Sequence, residues 1–140
     1  MPFFPTMQIM STTRFIGFAN GASRCTQNLA SSSWALYPPT YSLLWQAKVC
    51  TGPATNNQVK YAAVTRLLVD VVHMGICNLQ VHLDLQLIVA QLNGFYLIRN
   101  NVLRCLYLQV RLLCRHFDTI TFVHIHRCDN ASVDHLQINC

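Results

Sequence analysis

Lys60 stands where a helix favours an acid. The stretch "ATNNQVKYAAV", residues 54 to 64, offers two asparagines suited to starting a helix and then a lysine in the turn that follows. Free backbone N–H groups and the helix dipole make that end positive, so a cation there costs from a few tenths to about 1 kcal/mol. Acids are scarce altogether: the chain has 5 Asp+Glu against 10 Lys+Arg, a net charge of +5, and no acid precedes Asp70. A cationic first half suits a polyanionic partner, and equally a basic protein kept soluble by charge. Asp84 and Asp134, taken alone, are ordinary caps or surface acids. His124 and His126 alternate on one strand with no third ligand at metal-binding spacing. Seven cysteines occur without a C-x-x-C pair, which argues against a zinc knuckle and a compact disulfide framework. They read as reduced thiols with no disulfide partner in an intracellular protein, whether nuclear, cytoplasmic or mitochondrial.

These side chains need elements to hold them. Residues 13 to 19 and about 41 to 50 are β-branched or aromatic and read as strands, with "WALY" before "PPT" as another. From Asn57 to Met74, the residues Val64, Leu67, Leu68 and Val71 recur at helical spacing, and Gly75 ends the run. "LQVHL" follows as a buried strand, "DLQLIVAQL" as a helix stopped by "NG", and "VLRCLYLQVRLLCRHF" as a longer amphipathic helix. "TITFVHI" is a last strand, and "DNASVDHLQINC" opens a helix that the chain end truncates. The order βββαβααβα predicts an α/β domain with a mixed five-stranded sheet flanked by helices.

On the long helix, Leu103, Leu106, Val110, Leu113 and Phe117 form the predicted core face. Arg104, Arg111 and Arg115 fall on another side, with Arg99 upstream, as a basic stripe that is either a solvated face or a polyanion contact. Residues 1–12 read as an N-terminal extension without secretory features, and 13–140 as one domain. No apolar run reaches the length of about 18 residues that a membrane span requires. Nothing in the composition fixes oligomeric state, and a monomer is the simplest expectation.

Four stretches, "GFANGAS", "ATNNQVKY", "VHLDLQLIVAQLNGFY" and "VHIHRCDNASVDHL", occur in an order and spacing that resemble the type-1 ribonuclease H domain, particularly its plant retroelement forms. The resemblance implies the ribonuclease H-like fold and an ancestral cleavage of RNA in RNA/DNA hybrids. It maps that family's four catalytic carboxylates onto Asn20, Lys60, Asp84 and Asp134, so two acids have been replaced and Asp84 and Asp134 are retained. It also maps a pair that contacts the RNA strand onto Asn56 and Asn57, where the alternative is a simple helix cap. Arg99, Arg104 and Arg111 join them as candidate nucleic-acid contacts.

The family's acids hold two divalent cations about 4 Å apart, which activate water and stabilise the leaving oxygen. Formal charge at such a site goes from −4 to −1 here, since Asn20 removes one negative charge and Lys60 reverses another. A unit charge at about 4 Å is worth on the order of 4 kcal/mol at an effective dielectric of 20. The implied cofactor, Mg²⁺ or Mn²⁺, would therefore be held by Asp84 and Asp134 weakly or not at all. Departures elsewhere agree, because the family's glycine-rich turn is "RCTQNLASSSW" here, Leu85 takes a serine position and His126 a proline position. The reading is an RNA/DNA-hybrid or RNA-binding domain with impaired catalysis. Its alternatives are a residually active endoribonuclease, and a nonfunctional relic or protein-interaction domain.

Overall fold

A five-stranded sheet in the order β3-β2-β1-β4-β5 organises the computed structural model, which describes residues 14–24, 29–40 and 42–127. The elements are β1 (Phe15–Arg24), β2 (Leu29–Tyr37), β3 (Trp45–Thr51), α1 (Asn56–His73), β4 (Asn78–Leu83), α2 (Gln86–Leu92), α3 (Asn101–Cys114) and β5 (Thr119–His124). Strands β1, β2 and β3 pair antiparallel, whereas β1, β4 and β5 run parallel. The sheet is mixed, as expected. The helix expected after β5, with Asp134, falls outside the described residues.

Two strands are longer than their composition suggests. β1 continues past residue 19 to Arg24, and β2 begins at Leu29 because the antiparallel register pairs Asn20 with Ser33 and Ala22 with Ser31. Backbone pairing carries the serines through, and the buried Ser32 hydroxyl of β2 donates to the Val59 carbonyl of α1 at 2.9 Å.

Helix α1 crosses the sheet over β1 and β2 and contributes Val64, Leu67, Leu68 and Val71 to the core, all fully buried. Its close approach depends on glycine in β1. A Cβ at Gly17 would lie 2.7 Å from Leu67 Cδ2, and one at Gly21 would lie 2.6 Å from the Val59 backbone carbonyl carbon. At its far end Trp34 Nε1 and Trp45 Nε1 donate to the same oxygen, Asp70 Oδ2, at 2.6 and 2.8 Å. Gly75, at φ 77°, ends α1 with paired bonds from Ile76 N to Val71 O and Gly75 N to Val72 O. Gly94, at φ 82°, closes α2 in the same way, through Phe95 N to Ala90 O and Gly94 N to Gln91 O.

Helix α3 buries Val110 completely and packs Leu103, Leu106 and Leu113 against the core, with Phe117 just beyond. Among the described residues, no helix is long and apolar enough to cross a membrane. Among the described residues the expectation of reduced thiols fails at Cys50, which is disulfide-bonded, whereas Cys77, Cys105 and Cys114 are free. Cys50 is exposed on the edge strand β3, where its sulfur is accessible, and cysteine spacing carries no sign of the bond.

Candidate functional site

Parallel pairing brings two of the sequence-marked positions side by side. Phe18 on β1 pairs with His82 on β4, and Asn20 and Asp84 each follow two residues later along strands of the same direction. Gly21 lets the start of α1 lie directly over β1, and Lys60 is there. Its Nζ donates to Asn20 Oδ1 at 2.7 Å and to Asp84 Oδ1 at 3.0 Å. Asn20 Oδ1 also accepts the Gly21 N–H at 2.9 Å.

The cluster is shielded from water. Asn20 is 1% exposed, and the side chains of Lys60 and Asp84 are 12% and 5% exposed. One ammonium and one carboxylate balance in charge, and the ion pair is charge-assisted at both ends. Asp84 Oδ2 is buried and has no hydrogen-bond partner among the described residues. Burial lowers the pKa of His82, two residues before Asp84, so its imidazole stays neutral near pH 7 and adds no second cation.

Helix α1 starts one step earlier than the asparagines suggest. Thr55 is the N-cap, accepting from Gln58 N at 3.2 Å, while Gln58 Oε1 accepts from Thr55 N at 3.0 Å. That reciprocal box displaces the asparagines from the capping role and moves Lys60 to the fifth helical position, out of the first turn. Asn56 and Asn57 instead line a cleft of about 380 Å³ together with Gly21, Lys60, Asp84 and Arg127.

Five of the marked residues are therefore brought together: Asn20, Lys60, Asp84, Asn56 and Asn57. Three are not. Arg99 is exposed beyond α2, Arg104 lines a separate depression with Phe95 and Tyr96, and Arg111 Nη1 donates to the Leu92 carbonyl at 3.3 Å. Arg127, just past β5, joins the cleft without having been marked by the sequence; it is the single cation of the closing motif "VHIHRCDNASVDHL", which is the sign that could have found it. The rings of His124 and His126 lie 6.3 Å apart, and among the described residues no three His, Cys, Asp or Glu side chains are grouped to hold a metal.

Residues 18–139 match the family model described as reverse transcriptase-like. The chain belongs to this family. Its reverse transcriptase-like domain has the ribonuclease H fold. The ribonuclease H1 of Halobacterium salinarum superposes with a TM-score of 0.83 at 29% identity, over 88% of this chain and 93% of that one. The N-terminal ribonuclease H domain of the Mycobacterium tuberculosis protein Rv2228c superposes with a TM-score of 0.85 at 28% identity, over 89% and 91%. LC11-RNase H1, isolated from compost by a metagenomic approach and solved in complex with an RNA/DNA hybrid, gives 0.81 at 26% identity, over 87% and 92%. In sequence, the domain is 29% identical over 119 residues to the bifunctional protein Rv2228c, covering 84% of this chain and 33% of that protein. It is 28% identical over 123 residues to the ribonuclease HI of H. salinarum, covering 88% and 62%. The chain thus spans about a third of the mycobacterial relative's length.

Proposed function

We infer that this reverse transcriptase-like domain binds RNA/DNA hybrids, or RNA, at the cleft beside α1 and does not cleave them by two-metal hydrolysis. The observation that carries this reading is the position of the Lys60 ammonium, 2.7 Å from Asn20 and 3.0 Å from Asp84. The ribonuclease H likeness implies two divalent cations at these positions, and the residues present do not fit them. Hard cations want oxygen ligands in near-octahedral array. Asn20 offers one neutral oxygen, Lys60 offers none, and its positive charge already lies between the oxygens that a cation would share.

Binding needs no metal. Asn56 and Asn57 supply amide groups suited to ribose hydroxyls, and Arg127 and Lys60 supply positive charge to phosphate. Arg99, Arg104 and Arg111 add general attraction to a polyanion. Support for hybrid as the ligand comes from LC11-RNase H1, a relative in fold that is solved with one. One observation favours residual activity instead: Asp84 Oδ2 has no partner, and a cation is one of the groups that would satisfy it.

The deciding assay compares this chain with the double variant Asn20→Asp, Lys60→Glu on labelled hybrid in Mg²⁺ and in Mn²⁺. Cleavage is expected in the double variant alone. Cleavage by the unaltered chain that is abolished in Asp84→Asn would refute the reading.

A further inference from the structure

From Leu85 to Phe117 the sequence contains no acid, while Arg99, Arg104, Arg111 and Arg115 all fall inside it. This stretch is α2, α3 and their connection. The inner face of α3 is spent on the core through Val110, Leu103, Leu106 and Leu113, so its outer face should be polar. Instead Leu108 and Leu112 are 51% and 58% exposed. The connection continues the patch, with Phe95 79% and Leu97 77% exposed. The residue following such a helix-ending glycine commonly folds its side chain back onto the helix, yet Phe95 points its ring outward. A depression of about 360 Å³, bordered by Phe95, Tyr96, Tyr107, Leu108 and Arg104, lies in the middle. Arg111 is pre-positioned beside it, bonded to the Leu92 carbonyl and 6.0 Å over the Tyr107 ring.

A helix apolar on both sides is normally covered, and contiguous exposed patches mark interaction sites. Charge selects among the coverings. A second copy of this chain would set arginine against arginine, and two of its few acids, Asp70 and Asp84, are already engaged within the fold. A nucleic-acid backbone would satisfy the arginines but place phosphates against leucines. A segment carrying both carboxylates and apolar anchors matches the whole face. We propose that the outer face of α3, with Phe95 to Leu97, docks an acidic amphipathic helix of a partner protein, with one large apolar side chain seated in the depression and carboxylates on Arg104 and its neighbours. This proposal is independent of whether the cleft binds hybrid.

The test pans a displayed library of random helical peptides against the folded chain, with the Leu97→Ser, Leu108→Ser variant as counter-target. Both leucines are at least half exposed, so the variant should keep the melting temperature and hybrid affinity of the parent, and because it alters no charge it isolates the apolar anchors. The expected clones are rich in Asp and Glu with apolar residues at helical spacing. A synthetic consensus peptide should lose at least tenfold in affinity for the serine variant and for Arg104→Glu. Clones without acids, no clone that discriminates the variant, photo-crosslinking of hybrid or single-stranded RNA to Phe95 or Tyr96, binding of anionic vesicles through Leu108, or a dimer dispersed by the serine variant would each overturn it. Should the serine variant unfold, Arg104→Glu with charge-reversed peptide decides instead: restored binding supports the docking face, and no restoration overturns it.

Discussion

A lysine that is unfavourable as a local helix residue becomes favourable in its tertiary setting. In the folded chain Lys60 is the only cation bonded to the buried Asp84 carboxylate among the described residues, and removing one partner of a buried pair leaves the other uncompensated. Lys60→Met should lower stability by about 3 kcal/mol in urea denaturation followed by circular dichroism. Lys60→Glu should go further, placing a second carboxylate against Asp84, and millimolar Mg²⁺ should recover part of that loss while leaving the melting temperature of the unaltered chain unchanged. A marked Mg²⁺-dependent rise in the unaltered chain would count against an ammonium standing in for metal. Lys60 bonds Asp84 Oδ1 alone, and among the described residues Oδ2 meets no partner.

The site exists because of how α1 sits on β1, and Gly21 governs that contact. A methyl group there meets backbone, which cannot rotate away, whereas at Gly17 it meets the flexible end of Leu67. Gly21→Ala should therefore destabilise by about 3 kcal/mol and Gly17→Ala by about 1, in the range of core overpacking. Equal costs would mean that the approach of α1 is not set at Gly21. From β1 to β5, element order and type were legible in the sequence because apolar periodicity and the glycines after α1 and α2 are local signals. The run of serines in β2 was not, since pairing with β1, rather than residue preference, makes it a strand. The convergence of Asn20, Lys60 and Asp84 was legible only through motif order, and Thr55 as the cap was masked by the stronger-looking asparagines beside it. The failure of Arg99, Arg104 and Arg111 to join the cleft reflects the connection after Gly94, whose course no local pattern specifies.

At the scale of the whole molecule, charge and apolar surface are distributed unequally. With +5 overall, hybrid binding should be strongly salt-dependent: four phosphate contacts imply about a hundredfold loss of affinity between 50 and 200 mM salt. Titration of a labelled hybrid across that range checks this, and a flat response would exclude phosphate contacts as the source of binding. Arg127→Ala should shallow the slope without abolishing binding, because the cleft retains Lys60. The shared attachment of Trp34 and Trp45 to Asp70 has a practical result: these are the chain's two tryptophans, and both hang from the helix that carries Lys60. Intrinsic emission therefore works as a built-in gauge of whether that helix is seated, and a change at the cleft that lifts α1 will be visible in a cuvette without any label.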